Sequence, residues 1–362
     1  MATPKQQRID PKSVPAPSAA AQQKAAQAKK PGTPKQGAKP GTPKQGPQKR
    51  KNKSGRPGLP PGVVTVRKAT AGDWISAARL QTLPLAIAPV ALGTAAAYVL
   101  PHEDAGPGWH WLRALLCLAV AVGLQIGVNF ANDYSDGVRG TDKHRVGPMR
   151  LTASGAAKPR TVAVVALVFF ALAAAAGLII VFRTQHWWLI GVGAACILAA
   201  WFYTGGKRPY GYYGLGELFV FAFFGIVATA GTQFVLAGTV TVEGWLAGVA
   251  AGLFACAALM VNNIRDREHD KLAGKRTLAV LIGDRVSRIA FGVLVLAPFG
   301  ILAFFTLFYE NAYLVYFALL AAVPVAIITL TAKSAPELVV ALRLTALTAL
   351  VYGLGLGWAI AF

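Results

Sequence analysis

The sequence predicts an all-α integral membrane protein: nine transmembrane helices around a central cavity, N-terminus inside, C-terminus outside, behind a disordered basic tail. Three observations carry that prediction. Hydrophobic residues make up 55% of the 362 and charged ones only 14%, with a mean hydropathy of +0.49. Nine apolar runs follow Trp74, each close to the ~20 residues a spanning helix needs. Basic residues are segregated to alternate loops, as topology demands.

Residues 1–70 hold 16 Lys and Arg against one acid, Asp10, for a net charge of +15, whereas the rest of the chain carries only +6. This stretch is Pro, Lys, Gln, Ala and Gly, and Lys30-Pro-Gly-Thr-Pro-Lys-Gln-Gly37 recurs as Lys39-Pro-Gly-Thr-Pro-Lys-Gln-Gly46. It offers too little apolar surface to offset the entropy of ordering, so a disordered cytoplasmic tail is expected, with residues 71–362 as the membrane domain. It has no apolar core of a signal peptide. It also lacks the interleaved aromatics of a nucleic-acid arm, and no nucleic acid is expected as partner. Attraction to an anionic bilayer surface suits it better.

The apolar runs fall near residues 83–100, 112–131, 161–182, 187–203, 217–237, 245–263, 286–308, 313–330 and 339–361. With the N-terminus inside, the inner loops (132–160, 204–216, 264–285 with flanking Arg288, and 331–338) carry 16 Lys and Arg. The outer loops carry one, Arg183, and Arg113 lies just inside an outer helix end. Trp109, Trp111, Trp187, Trp188 and Trp245 gather at the outer ends as an aromatic belt. Cys117, Cys196 and Cys256 lie inside apolar runs and show neither disulfide nor zinc-ligand spacing. The five histidines form no ligand pattern.

Only 15 residues are acidic, and six of them sit in two inner-face stretches. The first is Asn129-Phe-Ala-Asn132-Asp133-Tyr-Ser-Asp136, continuing to Asp142; it follows the second run. The second is Asn262-Asn263-Ile-Arg265-Asp266-Arg-Glu268-His-Asp270; it follows the sixth. Four helices separate them, so the two units point the same way, as in a four-helix duplication with one helix added. Asp133 and Asp136 are spaced i, i+3, and Asp266 and Asp270 i, i+4, so each pair shares a helical face. Carboxylates crowded at a membrane boundary call for a divalent cation, and Mg²⁺ takes one or two of them plus phosphate oxygens. Arg145, Lys275 and Arg276 nearby suit a diphosphate whose departure needs charge neutralisation. Asn129, Asn132, Asn262 and Asn263 suit phosphate or carboxylate hydrogen bonding. Asp133, Asp136, Asp142, Asp266 and Asp270 are the candidate metal ligands.

A third inner loop, Tyr203-Thr-Gly-Gly-Lys207-Arg208-Pro-Tyr210-Gly-Tyr-Tyr-Gly-Leu-Gly-Glu217, has glycines that permit close approach to a ligand. Taken alone, it reads more readily as a tyrosine belt with Lys207 and Arg208 as topology charges. Glu217 stands alone at the inner end of a membrane helix and marks a functional position. Arg79, just before the first run, is either a substrate cation or a topology anchor. A secondary transporter would place ionisable groups at mid-bilayer, and the helix interiors here hold almost none.

At these residues the chain resembles the UbiA superfamily of membrane prenyltransferases, with Asn-Asp-x-x-Asp after the second helix and Asp-x-x-x-Asp after the sixth. It is most similar there to the branch acting on 1,4-dihydroxy-2-naphthoate. That likeness rests on Asn132-Asp-Tyr-Ser-Asp136, Gly140-Thr-Asp142, Arg145-Val-Gly-Pro148, Tyr203-Thr-Gly-Gly, Gly-Leu-Gly-Glu217 and Asn262-Asn-Ile-Arg-Asp266 with Asp270 and Gly274-Lys-Arg-Thr277. The resemblance covers about residues 72–362. One departure is that the acid after Asp136 is Asp142, six residues on rather than four. The resemblance implies Mg²⁺-dependent transfer of a polyprenyl group from its diphosphate to the naphthoate, with decarboxylation, in a bacterial plasma membrane with the active site facing the cytoplasm. Asp133, Asp136, Asp266, Asp270 and Lys207 would be catalytic, and Tyr203, Arg145, Lys275, Arg276 and Arg79 would bind substrate. Hydroxybenzoate, homogentisate and polyprenyl-phosphate phosphoribosyl transfer are the neighbouring activities.

Overall fold

The computed structural model describes residues 67–100, 109–141 and 150–362, and these residues are helical with no strand. Nearly all of the expected tail lies outside the described residues, as do Asp142 and Arg145. A capping box starts α1 (Ala71–Ala78): Asp73 accepts the Thr70 N–H at 2.7 Å, and the Thr70 hydroxyl faces the Asp73 N–H in return. Arg79 ends α1 in the left-handed region (φ 56°), and one tight turn leads into α2 (Pro84–Tyr98), bent 46° from the first segment. Pro84 suits the first turn of α2, where its missing N–H would have had no intrahelical acceptor.

The chain continues through α3 (Trp109–Arg139), α4 (Pro159–Thr184), α5 (Leu189–Phe202), α6 (Gly216–Ala237) and α7 (Val242–Leu272). A short α8 (Leu278–Ile282) precedes α9 (Asp284–Thr306), α10 (Glu310–Thr331) and α11 (Ala335–Ala361). All nine apolar runs are therefore helical. Seven of these helices are long and apolar enough to cross a bilayer, and the bent α1–α2 pair makes an eighth. The exception to the expected nine is α5: its 14 residues span about 21 Å, short of a ~30 Å hydrocarbon core.

Both acidic stretches lie inside helices rather than after them. α3 and α7 are each 31 residues long and run on through Asp136 and Asp270. Asn and Asp favour caps over helix interiors because their side chains compete for backbone groups. Here those side chains bond to other elements or, for Asn262 and Asp266, to the Arg265 side chain rather than to their own helix's backbone, so the helical ladder continues.

α7 is the most enclosed helix, and the main core gathers on it. Phe254 packs edge-on against Phe299 and Tyr352, and the Tyr352 hydroxyl donates to the Pro298 carbonyl at 2.8 Å. α6 meets α7 through glycine: a Cβ on Gly225 would stand 2.5 Å from Gly252 Cα and 2.6 Å from the Gly248 carbonyl. In lipid, such close backbone contact supplies dispersion that hydrophobicity cannot. The middle of α6, Phe221–Val227, is wound as a π-helix, and Phe223, Phe224 and Val227 from it line a cavity bounded also by α2, α3, α4, α5 and α7.

Candidate active site

That cavity encloses about 560 Å³. On α3 its lining runs from Cys117 to Asp136, which at 1.5 Å per residue is roughly 28 Å along the helix. Most of the wall is aliphatic or aromatic. Among the described residues, the charged lining groups are three acids, Asp136, Asp266 and Asp270, and three bases, Arg79, Arg150 and Lys275.

Helical phase selects which residues reach it. Asn129, Asn132 and Asp136 share one face of α3, and Asn262, Asp266 and Asp270 recur every four residues on α7. The two acidic stretches also correspond to each other across the bundle. The cavity matches Asn132 and Asp136 to Asn262 and Asp266, so Gly140 stands where α7 has Asp270. Asn129 donates to the Ala78 carbonyl at 3.0 Å, and Gln125 to Thr82 at 3.0 Å, which ties α3 to the α1–α2 bend. Asn132 accepts from the Thr204 hydroxyl at 2.7 Å.

Asp136 is the hub. It accepts from the Tyr212 hydroxyl at 2.7 Å and from Lys275 Nζ at 3.0 Å, and Lys275 stands 3.8 Å from Asp270. One ammonium thus bridges the two acidic helices. The loop holding it is fixed by backbone bonds, Lys275 N–H to Asp270 and Arg276 N–H to Tyr212. Lys275 Nζ also lies over the Tyr212 ring, 4.8 Å from its centre, and the Arg139 guanidinium stands 5.3 Å from the same centre. Arg139 itself donates to the Thr204 and Gly206 carbonyls. Burial disfavours the Lys275 charge, but Asp136, Tyr212 and Asp270 outweigh it and hold its pKa above the ordinary lysine value. Burial, and then Asp136, push the Tyr212 phenol up. On α7, Arg265 forks onto both oxygens of Asp266 at 2.7–2.8 Å and also reaches Asn262.

Other predicted residues stand elsewhere. Asp133 is buried but off the cavity, with both oxygens on backbone N–H groups. Lys207 and Arg276 are exposed and line nothing; Lys275 is the lysine brought to the aspartates. Glu217 is also off the lining: it accepts from Asn263 at 3.0 Å, and its other carboxylate oxygen is buried without a hydrogen-bond partner. Tyr203 and Arg79 do line the cavity, the latter from its left-handed backbone position. Arg150 and Tyr212 escaped the sequence reading. The only signals were an arginine directly before Leu-Thr-Ala-Ser-Gly and a tyrosine in a glycine-rich loop.

The donor set fits a hard divalent ion, since Asp136 with Asn132, and Asp266 and Asp270 with Asn262, present only oxygen donors. Among the described residues no three acidic, histidine or cysteine side chains converge as ready ligands. That suits an ion completing its shell with substrate phosphate and water rather than one caged by protein.

A membrane helical bundle with two acidic helices at the mouth of an apolar cavity defines the class. The model of the UbiA prenyltransferase family matches residues 86–337, and the chain belongs to that family. It is 47% identical over 300 residues to the 1,4-dihydroxy-2-naphthoate octaprenyltransferase of Mycobacterium tuberculosis, covering 81% of this chain and 98% of that one. The Escherichia coli protein of the same description is 38% identical over 242 residues, 65% of this chain and 76% of that one. Among solved structures, the apo UbiA homolog from Aeropyrum pernix superposes with a TM-score of 0.58 at 16% identity, over 75% of this chain and 96% of that one. The Archaeoglobus fulgidus homolog bound to GPP and Mg²⁺ gives 0.54 at 15%, over 80% and 99%. These two likenesses show the fold.

Proposed function

We propose that the chain transfers a polyprenyl group from its diphosphate to 1,4-dihydroxy-2-naphthoate with loss of the carboxylate, giving the prenylated naphthalenediol, the reduced form of demethylmenaquinone. The observation that carries this is a buried cluster of acids and bases at one end of a cavity about 28 Å long whose remaining wall is mostly apolar. The similarity to naphthoate octaprenyltransferases supports the acceptor.

A polyprenyl chain gains ~0.8 kcal/mol per buried methylene-sized group, so it stays in lipid and an apolar tunnel must receive it there. Asp136 with Asn132, and Asp266 and Asp270 with Asn262, would hold Mg²⁺, which when bound neutralises the departing diphosphate. Lys275, Arg150 and Arg79 bind the diphosphate oxygens and position the allylic carbon. The apolar wall of α4, α5 and α6 keeps water from that carbon as its bond to oxygen lengthens. The electron-rich ring then forms the new carbon–carbon bond at the carboxylate-bearing position. Carbon dioxide leaves, the electron pair of its bond restores the ring, and diphosphate carries off the pair of the broken C–O bond. Nine crossings, with the cluster on the cytoplasmic face of a bacterial plasma membrane, complete the proposal; the charge asymmetry of the loops supports that orientation.

Membranes containing the chain, given a radiolabelled long-chain prenyl diphosphate and the naphthoate, should form labelled prenylated quinol with Mg²⁺ and none with EDTA. Labelled donor crossing vesicles without any prenylated product would sink the proposal in favour of transport.

A further inference from the structure

Asp133 is 1% exposed, and its carboxylate is fully engaged away from the cavity: Oδ2 accepts the Leu151 N–H at 2.8 Å and Oδ1 the Thr152 N–H at 2.9 Å. One helical turn on, Gly137 clears room for the same segment. A Cβ there would stand 2.5 Å from Thr152 Cβ and Cγ2 and 3.1 Å from the Ala153 nitrogen. Asp133 and Gly137, spaced i, i+4, together make a seat on α3. The turn seated there is closed by Ser154 N–H to Arg150 and Ala157 N–H to Leu151, with Gly155 at φ 72°. Leu151 is wholly buried against Phe130 and Phe170. The residue just before the two pinned amides is Arg150, which is 9% exposed, lines the cavity and lies within electrostatic reach of Asp136.

We infer that Asp133 is a positioning residue and not a metal ligand: with Gly137 it docks the 151–153 turn on α3 and so holds Arg150 in the cavity as a cation for the donor's diphosphate. This rests on the prenyl-transfer reading above. Two charge-assisted bonds to adjacent amides fix the backbone direction at Leu151 and Thr152, and therefore where the preceding side chain, Arg150, emerges. A carboxamide in place of Asp133 keeps one acceptor and sets an NH₂ against an N–H, so the seat is lost while bulk is kept.

The test compares Asp133→Asn, Arg150→Gln, their double variant and Asp136→Asn in membranes, varying donor and Mg²⁺ separately. Asp133→Asn and Arg150→Gln should each raise the donor KM about tenfold or more, the size of a lost charged hydrogen bond. They should leave the Mg²⁺ half-saturation within about twofold, and the double variant should be no worse than the weaker single, as for two parts of one device. Asp136→Asn should shift the Mg²⁺ half-saturation. The inference is overturned if Asp133→Asn shifts it as Asp136→Asn does, or if the Asp133 and Arg150 effects multiply. Should Asp133→Asn fail to fold, Gly137→Ala unseats the same turn and should give the same donor-KM rise; an unchanged KM overturns the inference. If the wild-type chain transfers no prenyl group, the prenyl-transfer reading fails separately. Binding of inorganic diphosphate with Mg²⁺, followed by thermal shift, then decides: both single variants should lose it, and retention by Asp133→Asn overturns the inference.

Discussion

Replacing Lys275 by Met removes the ammonium between the two acidic helices while keeping a flexible chain of similar length. The side chains of Lys275 and Asp136 are only 9% and 4% exposed and 3.0 Å apart. At that distance and an effective dielectric of about 20, the pair attraction is on the order of 5 kcal/mol, and removing one partner of a buried pair typically costs about 3–5 kcal/mol. Tyr212 still donates to Asp136, which places the expected cost near the lower end, about 3 kcal/mol. In detergent with EDTA, the melting temperature of Lys275→Met should fall on the order of 10 °C. Adding Mg²⁺ should raise it by more than it raises wild type, because the ion meets carboxylates that no lysine neutralises. An unchanged melting temperature in EDTA, or equal Mg²⁺ stabilisation of both proteins, would refute the claim that Lys275 stands in for positive charge at the metal site.

Gly231 lines the cavity with nothing within 4 Å of an added Cβ, so Gly231→Leu should fold normally and restrict the tunnel; with mixed donors, mass spectrometry should show a product distribution shifted to shorter chains. Arg79→Gly suits the left-handed backbone and should hold or raise stability by about 0.5 kcal/mol while cutting prenyl transfer at least tenfold; full activity would reduce Arg79 to a helix cap. The pKa values of Lys275 and Tyr212 are both raised above their ordinary 10.5 and 10.0, so the stability they contribute is complete below about pH 10 and is lost as pH rises through the raised values. Melting temperature should therefore show no step from this pair between about pH 7 and 9, then fall above about pH 10.5, and Lys275→Met should flatten that fall.

Helices at all nine apolar runs were legible because such runs have no other stable form in lipid, but the shortness of α5, which leaves seven or eight helices long enough to cross, was not. The shared face of Asp266 and Asp270 was legible from their i, i+4 spacing, whereas on α3 the sequence paired Asp133 with Asp136 and the cavity takes Asn132 and Asp136. What the sequence did not display is which face looks inward. Asp133 and Asp136 are equivalent as letters, and only the rotation of α3 sends one to the cavity and the other to the 151–152 amides. Lys207 and Lys275 both sit beside glycines in inner loops. The choice between them follows from the backbone bonds that fix the 275–276 segment to Asp270 and Tyr212. Arg150 and Tyr212 come to the site from loops far apart in sequence, so no local pattern announces them.

The central claim is tested most directly by the mass of the product formed from a long-chain prenyl diphosphate and a panel of dihydroxynaphthoate, hydroxybenzoate and homogentisate. The account predicts one major Mg²⁺-dependent product, the prenylated naphthalenediol, lighter by one carbon dioxide than the simple adduct of prenyl group and acid. Prenylated hydroxybenzoate or homogentisate without any naphthoate product would contradict it.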